Sequence, residues 1–469
     1  MERGSKEIVS FIVTVFLARL LEPNDFGLVA IVFSFISLTN VIVQTGFNAA
    51  LLQKKNICHK DYSSTFTLSI FFAILFALIL FLSSTFLSEF YKSPLLKNII
   101  SILACTLPFG AYNSIQMAFL TRSFDYKKVF ICTIGSILLS GGIGIILAVK
   151  GYGVWALVGQ YISTQLSLFI FLLLFSTLKL TLNFDLKSIK TIVTFGWKIA
   201  AASVLDAIYT NLFNMIIGKK YSPDMLAFFN RGRQLPLLLA QDLNTSIGGI
   251  LLTTYSKMQA DISSLKATMR RSIISSAFVM FPLMVGLAVC AKPFVVLVFS
   301  EKWIFSVPYM QLFCIVFIFY PINMANTQAI NGVGRSDIFL TINILKKLFG
   351  VIILLVTINI SVFAVAIGLA FGSIFNLLIN VLPNKLLFQY GLKEQLRDVF
   401  PSFVLSIFMG LGIALILLLP FSYSIILPLQ IGVGILLYLG ASHLFKLEAY
   451  KYVRETLIGL LREYKLKWS

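Results

Sequence analysis

Residues 221–257 read YSPDMLAFFNRGRQLPLLLAQDLNTSIGGILLTTYSK, a segment of membrane-spanning length with an apolar side and a polar side. At the 100° per residue of an α-helix, its polar groups share one face. This face consists of Asn230, Arg233, Gln234, Gln241, Asn244, Thr245 and Gly248, with Arg231 and Asp242 at its border. Such a face contacts protein or water rather than lipid, so we interpret the segment as one wall of a polar cavity. The alternative is a buried helix whose polar groups satisfy each other and only hold helices together.

The composition places the chain in a membrane. Apolar residues make up 58% of its 469 residues and charged residues only 12%, which predicts an all-α polytopic membrane protein. Its five cysteines and two histidines show no ligand spacing, so no disulfide framework, metal site or other cofactor is indicated.

The net charge of +19 follows the topology of a membrane protein and does not indicate nucleic-acid binding. We predict fourteen spans, at residues 8–21, 26–48, 63–88, 98–119, 129–149, 155–178, 191–217, 224–252, 272–291, 306–329, 337–357, 360–384, 399–420 and 423–445. With the N-terminus inside, inner segments carry 25 of the 38 Lys and Arg residues and outer segments carry 7. The positive-inside rule therefore puts both termini in the cytoplasm.

An internal repeat appears when the chain is compared with itself at an offset of about 200 residues. Residues 20–28 align with 220–228 so that Pro23 and Pro223 are in register, and residues 154–157 align with 362–365. These matches predict two pseudo-symmetric lobes of six spans each. The domains are then residues 1–178, 191–388, two additional spans in 399–445, and a cytoplasmic tail in 446–469.

Three short segments carry a resemblance to a known family. They are Leu17–Leu28, reading LARLLEPNDFGL, then Gly46 followed by LLQKK at residues 51–55, and GYGVWALV at residues 151–158. With them, nearly the whole chain resembles the Wzx-like polysaccharide transporters of the multidrug/oligosaccharidyl-lipid/polysaccharide (MOP) flippase superfamily.

The resemblance implies a 14-helix protein of two lobes around a central cationic cavity. Its activity would be the outward flipping of undecaprenyl-pyrophosphate-linked oligosaccharide repeat units across the bacterial cytoplasmic membrane, for O-antigen, capsule or exopolysaccharide synthesis. Its partners would be this lipid-linked substrate, membrane lipids, and the polymerase and glycosyltransferases of the same pathway. Members of that family usually begin earlier in the chain, so we expect the first span to be incomplete or short.

Charged groups within the spans are the candidate site. The candidate substrate-binding residues are Arg19, Lys198, Arg231, Arg233, Gln234, Lys346 and Lys347. A pyrophosphate would offset the cost of holding such cations within a bilayer, because Arg and Lys neutralise it through charge-assisted hydrogen bonds. Asp206 and Asp242 are candidates for proton or Na⁺ coupling. The alternative roles are ion pairs between these cations and the two aspartates, or basic residues that anchor helix ends.

The connecting segments distinguish the remaining function classes. Outer connections are short and bear no group of nucleophile, base and orienting residue, so we predict that the protein is not an enzyme. A cation-coupled small-molecule antiporter of the same superfamily is the alternative, and the excess of basic residues within the spans argues against it. The tail places apolar residues at helical spacing, which predicts either an interfacial helix on anionic lipid or a helix that docks on a partner. These are Leu447, Tyr450, Leu457, Leu461 and Tyr464.

Overall fold

The computed structural model describes residues 2–45, 51, 54 and 57–455, and these residues are helical or irregular, with no strand among them. The chain divides into two compact units, Met1–Ala227 and Phe228–Ser469, called here the N-terminal and C-terminal units. The predicted all-α membrane fold is confirmed at this level.

The N-terminal unit is built from eight described helices and the start of a ninth. They are α1 Glu2–Leu20, α2 Pro23–Asn40 (continued by a π-helical turn, Val41–Thr45), α3 His59–Phe90, α4 Leu95–Ala104, α5 Leu107–Arg122, α6 Tyr126–Val149, α7 Val154–Phe175, α8 Leu186–Lys220 and the first residues of α9 Pro223–Lys257.

The C-terminal unit contains the rest of α9 and the helices that follow it. These are α10 Ile262–Val298, a 3₁₀ turn Glu301–Ser306, α11 Val307–Ile318, α12 Tyr320–Gly332, α13 Ser336–Thr357, α14 Val362–Phe388, α15 Leu392–Leu415, a 3₁₀ turn Ile416–Leu418 and α16 Tyr423–Leu444.

The two copies of the repeated Pro-containing turn meet inside the N-terminal unit. Proline opens α2 at Pro23 and α9 at Pro223, where its missing N–H is not needed by the helix. A Cβ added to Gly27 would lie 1.9 Å from the carbonyl oxygen of Pro223, so only glycine permits this approach. The Asn24 side chain also donates a hydrogen bond to Asp224 at 3.2 Å. The residues that align in the repeat thus fasten the start of α9 to the start of α2.

Among the described residues, each unit has a membrane-length helical segment that is interrupted near its middle. In the N-terminal unit, α4 and α5 are bent by 40° at the break. In the C-terminal unit, α11 ends at Ile318 and α12 begins at Tyr320. In both cases the helix after the break, α5 or α12, has a proline as its second residue, Pro108 or Pro321. Proline has no backbone N–H and so cannot donate a hydrogen bond to the preceding turn.

Eleven helices among the described residues are long and apolar enough to cross a membrane, or twelve if α4 and α5 count as one broken span. They coincide with twelve of the fourteen predicted spans. The other two predicted spans, 8–21 and 224–252, are helical as α1 and α9 but fall outside this set. Both are rich in charged or amide groups, which lowers their hydropathy.

The first part of the tail packs on protein. Ala449 is buried in a cluster with residues of α10, α15 and α16, and Leu447 and Tyr450 pack against that cluster. The Tyr450 ring contacts the ring of Phe278 at 6.3 Å between centroids. For these residues the predicted apolar stripe therefore faces the C-terminal unit. Leu457, Leu461 and Tyr464 lie outside the described residues, so the lipid-binding part of that prediction stays untested.

Candidate functional site

Arg231 is enclosed by aromatic rings in the C-terminal unit. Only 5% of the residue is exposed, and its guanidinium carbon lies 4.5 Å from the ring centroid of Trp303 and 4.9 Å from that of Phe299. Its Nη1 donates a hydrogen bond of 2.8 Å to Oε1 of Gln234, one turn along α9. The structure thus brings two of the predicted site residues together. The cation–π contacts and the hydrogen bond compensate part of the charge's desolvation.

The neighbouring Gly232 explains why this burial is possible. A Cβ at this position would lie 2.5 Å from Cβ of Tyr309, 2.7 Å from the amide nitrogen of Met310 and 2.9 Å from the carbonyl oxygen of Ser306. The backbone of α9 therefore lies directly against the start of α11, and the side chain beside Gly232 is carried into the aromatic surroundings. The border position of Arg231 on the predicted polar face agrees with this placement.

The polar face of α9 itself is less buried than Arg231. Arg233, Gln234 and Asp242 are partly exposed, and Gln241 is exposed. Farther along, Gly248 contacts the Met324 side chain of α12, which shows that this end of α9 packs within the C-terminal unit. Asn244 and Thr245, which the sequence placed on the same face, have side chains outside those the structure describes.

Lys346 and Lys347 lie near the middle of α13, between apolar turns. Both are partly buried. The helix packs on α14 through the stacked rings of Phe349 and Phe375, 3.7 Å apart, and through Gly368 and Gly372, which Ile353 contacts. Within the described part of the chain, Lys346 forms no ion pair or hydrogen bond.

The remaining predicted residues lie on α1 and α8 of the N-terminal unit. Arg19 is exposed in the last turn of α1, and Asp206 is exposed on α8. Lys198 lies on α8, but its side chain is not among those described.

Sequence reasoning missed a network of buried amides in the C-terminal unit. Asn326 of α12 and Gln395 of α15 exchange two hydrogen bonds, of 2.8 and 2.9 Å. Asn384 of α14 donates to Oδ1 of Asn326 at 2.9 Å, and Asn380 donates to Oδ1 of Asn323 at 2.6 Å. A signal existed, because pairs of Asn recur three or four residues apart within apolar spans and so share a helix face. The network joins three helices through the broken span.

The N-terminal unit has its own polar cluster at the π-helical turn after α2. Gln44 donates to Oδ1 of Asn40 at 2.9 Å, and Asn40 in turn donates to the Tyr161 hydroxyl at 3.5 Å. A Cβ on Gly110 would lie 2.9 Å from Nε2 of Gln44, so α5 approaches this turn closely. The pairing of Asn40 with Gln44 on one face follows from their four-residue spacing. The π-helical turn itself was not foreseen.

A second network lies at the end of the C-terminal unit where the tail begins. Arg270 of α10 binds Asp398 at 3.0 Å and Glu448 at 2.7 Å, and the Tyr390 hydroxyl donates to Asp398 at 2.7 Å. Burial and the bond to Asp398 raise the pKa of Tyr390 above its usual value. The hydrogen bonds from Arg270 and Tyr452 lower the pKa of Glu448 to about 2. Tail, α10 and α15 are thereby joined through charged groups.

The two-unit helical fold and the eleven described helices apolar enough to cross a membrane define a polytopic membrane protein with basic and amide groups inside its spans. The profile described as "Polysaccharide biosynthesis protein" matches residues 16–308. The chain belongs to this polysaccharide biosynthesis protein family, and the predicted resemblance to Wzx-like polysaccharide transporters is confirmed at the level of this family.

Individual relatives agree with this assignment. The chain is 22% identical over 399 residues to the lipopolysaccharide biosynthesis protein WzxC of Escherichia coli K12, covering 84% of this chain and 79% of WzxC. It is 20% identical over 304 residues to the succinoglycan biosynthesis transport protein ExoT of Rhizobium meliloti, covering 65% of this chain and 62% of ExoT. The solved inward-closed structure of the lipid II flippase MurJ aligns with a TM-score of 0.78 at 15% identity, covering 95% of this chain and 97% of MurJ. At that identity the last comparison establishes the fold.

Proposed function

We propose that this protein flips undecaprenyl-pyrophosphate-linked oligosaccharide repeat units across the bacterial cytoplasmic membrane by alternating access. Its relatives are named for lipopolysaccharide biosynthesis and for succinoglycan transport, and its fold is that of a lipid II flippase. These names support transport of a lipid-linked saccharide rather than catalysis.

The observation that carries the proposal is Lys346. A cation held near the middle of an apolar span raises the free energy of insertion by about 2.5–3.5 kcal/mol on translocon scales. Lys346 is partly buried and has no carboxylate partner among the described residues, so no described counter-charge offsets that cost. A diphosphate passing α13 would supply the missing counter-charge. We assign Lys347 and Arg233 to the same task as candidates.

Arg231 has a different task in this proposal. Because its guanidinium is enclosed by Trp303 and Phe299 in this structure, we assign it first to holding α9 against the connection between α10 and α11. Contact with substrate would require α9 to move away from these rings, as one state of an alternating-access cycle does. Roles for Arg19, Lys198 and Gln234 in substrate binding, and for Asp206 and Asp242 in proton or Na⁺ coupling, stay predictions.

The proposed architecture has fourteen spans. It counts α1 and α9 as membrane helices, groups residues 1–178 and 191–388 into two pseudo-symmetric lobes, and adds two spans in 399–445. Both termini face the cytoplasm in this arrangement, because the Lys and Arg residues concentrate on that side. The polymerase and glycosyltransferases of the same pathway are the proposed partners.

The test is complementation of a strain whose own flippase for the same glycan is deleted. The Lys346→Met, Lys347→Met double variant should reach the membrane at native abundance, because the insertion penalty falls, and should lose export of the lipid-linked oligosaccharide. Lys257→Met removes one exposed charge at the end of α9 and should export normally. Native export by the double variant at equal abundance would remove the mid-span lysines from the mechanism. Export of a small molecule in exchange for a cation by the native chain, with no glycan export, would favour the antiporter instead.

A further inference from the structure

A cavity of about 720 Å³ opens beside the junction of α14 and α15, apart from the groups assigned to transport. Leu378, Val381, Leu382 and Leu392 form its apolar walls. Lys385 and Lys393 stand at its polar end, where α14 finishes and α15 begins.

The charge of this cavity is positive. Its one acidic lining residue, Glu394, pairs with Lys266 at 2.8 Å, and Lys266 also donates to the carbonyl oxygen of Gln389 at 2.6 Å. Lys385 and Lys393 form no ion pair with a carboxylate in the described ranges. Lys385 and Lys393 therefore leave the cavity with a positive charge that no described carboxylate balances.

The backbone at the junction fixes one of these lysines. Gln389 ends α14 in the left-handed conformation, and Gly391 precedes α15. A Cβ on Gly391 would lie 3.4 Å from Cγ of Lys385, so the aliphatic stem of Lys385 rests against the glycine. Lys385 is exposed, and this contact of its stem reduces the side-chain freedom that it would lose on binding an anion.

The apolar side of the cavity continues onto the outer surface of α14. Five large apolar residues follow each other three or four positions apart along this helix and are exposed. They are Phe371, Ile374, Leu378, Leu382 and Leu386, of which Leu386 is 85% exposed. On a helix apolar enough to cross a membrane, such a strip contacts acyl chains. A molecule lying along it would place its polar end at Lys385 and Lys393.

We propose that this cavity binds an anionic phospholipid, with the phosphate between Lys385 and Lys393 and one acyl chain along Leu378, Leu382 and Leu386. Lysines at the end of a spanning helix attract anionic headgroups by about 1 kcal/mol each near the surface. Phosphate alone would use only the two lysines, whereas a zwitterionic lipid would use only the apolar strip. The ligand class follows from the two features together.

The experiment is native mass spectrometry of the full chain in detergent with dioleoyl phosphatidylglycerol, dioleoyl phosphatidylcholine or inorganic phosphate. Phosphatidylglycerol should bind in preference to phosphatidylcholine, and Lys385→Gln, Lys393→Gln should weaken its binding about 30-fold. Lys127→Gln, Lys257→Gln removes the same charge from exposed positions outside the cavity and should bind as the native chain does. Leu382→Ser should weaken lipid binding as well.

Several results would overturn the proposal. Equal affinity for the two lipids would show that the lysines do not select the headgroup. Saturation by inorganic phosphate that blocks lipid adducts, with Leu382→Ser having no effect, would make the cavity a phosphate site. An equal loss of phosphatidylglycerol in the control variant would show a general surface-charge effect. Circular dichroism and membrane yield identify any variant that fails to fold, and the singly substituted Lys393→Gln then replaces the double variant.

Discussion

The guanidinium of Arg270 and the carboxylate of Glu448 form a two-pronged pair, in which Nη1 and Nη2 donate to Oε1 and Oε2 at 2.8 and 2.7 Å. Two parallel charge-assisted hydrogen bonds define the orientation as well as the distance of the partners. Through this pair, the chain that follows α16 is attached to α10.

Acidification should release the tail from α10. The pKa of Glu448 is lowered from 4.5 to about 2 by the hydrogen bonds from Arg270 and Tyr452. The contribution of the Glu448 carboxylate to the attachment of the tail is therefore fully present above pH 4.5 and is lost as the pH falls towards about 2. A spin label at Val453→Cys, in a chain without its native cysteines, should become mobile across that interval.

Two variants distinguish the pair from a general acid effect. In the Glu448→Gln variant the label should be mobile already at neutral pH, because glutamine has the shape of glutamate but not its charge. Glu455→Gln, which removes an exposed carboxylate in the next turns, should titrate like the parent. A label that stays immobile in Glu448→Gln at neutral pH would assign the attachment to the apolar contacts of Ala449 and Tyr450 alone.

Arg231 and Trp303 should be energetically coupled. Trp303→Leu removes one of the two rings beside the guanidinium and should lower the melting temperature in detergent. In an Arg231→Met background the same change should matter less, with a coupling free energy of about 1–2 kcal/mol for a desolvated cation–π pair. Arg231→Lys should retain part of it, because an ammonium keeps the charge without the planar group. Additive effects of Arg231→Met and Trp303→Leu would contradict the assigned role.

Two glycines of α9 should respond oppositely to alanine. Gly232→Ala places a methyl group within 3 Å of backbone atoms of Met310 and Ser306, so α9 has to separate from α11, at about 1–3 kcal/mol. Gly249→Ala meets nothing within 4 Å and should stabilise the helix by about 0.5–1 kcal/mol. Thermal unfolding of both variants is the measurement. An unchanged unfolding temperature of the Gly232→Ala variant would show that the contact between these helices is loose.

The topology can be tested at two serines. Cysteines introduced at Ser93, between α3 and α4, and at Ser264, in the first turn of the long helix α10, should be labelled from opposite sides of the membrane. The reason is the asymmetry of Lys and Arg, which predicts that the connection around Ser264 lies on the inner side. Labelling of both from one side, in intact cells that exclude the reagent, would remove the fourteen-span arrangement.

The sequence predicted much of the fold because membrane insertion depends on local composition. A spanning helix satisfies its own backbone hydrogen bonds and needs only a sufficient run of apolar residues. For this reason twelve predicted spans coincide with helices apolar enough to cross. The length of the apolar run is the weakest predictor for α1 and α9, because their polar groups need contacts with other helices or with water.

The site was predicted less completely. Lys346 and Lys347 were recognisable as charges inside a span, since charges within an apolar run are conspicuous without any tertiary information, and their part in substrate binding stays a prediction. The enclosure of Arg231 was not, because Phe299 and Trp303 are distant in sequence and reach it only where Gly232 lets α9 lie against the start of α11. The partners of Asn326 lie 58 and 69 residues away and were equally hidden.

The sequence by itself determined the helical membrane fold and the family, because hydropathy and short motifs such as the Pro-containing turn are properties of contiguous residues. The two-lobe repeat stays a prediction. Only the tertiary structure decided which polar groups compensate one another. A buried charge or amide finds its partner on whichever helix packs beside it, and that choice depends on close contacts such as those of Gly27 and Gly232. Arg231 therefore lies among aromatic rings, whereas Lys346 has no described partner, and we propose that the substrate provides one.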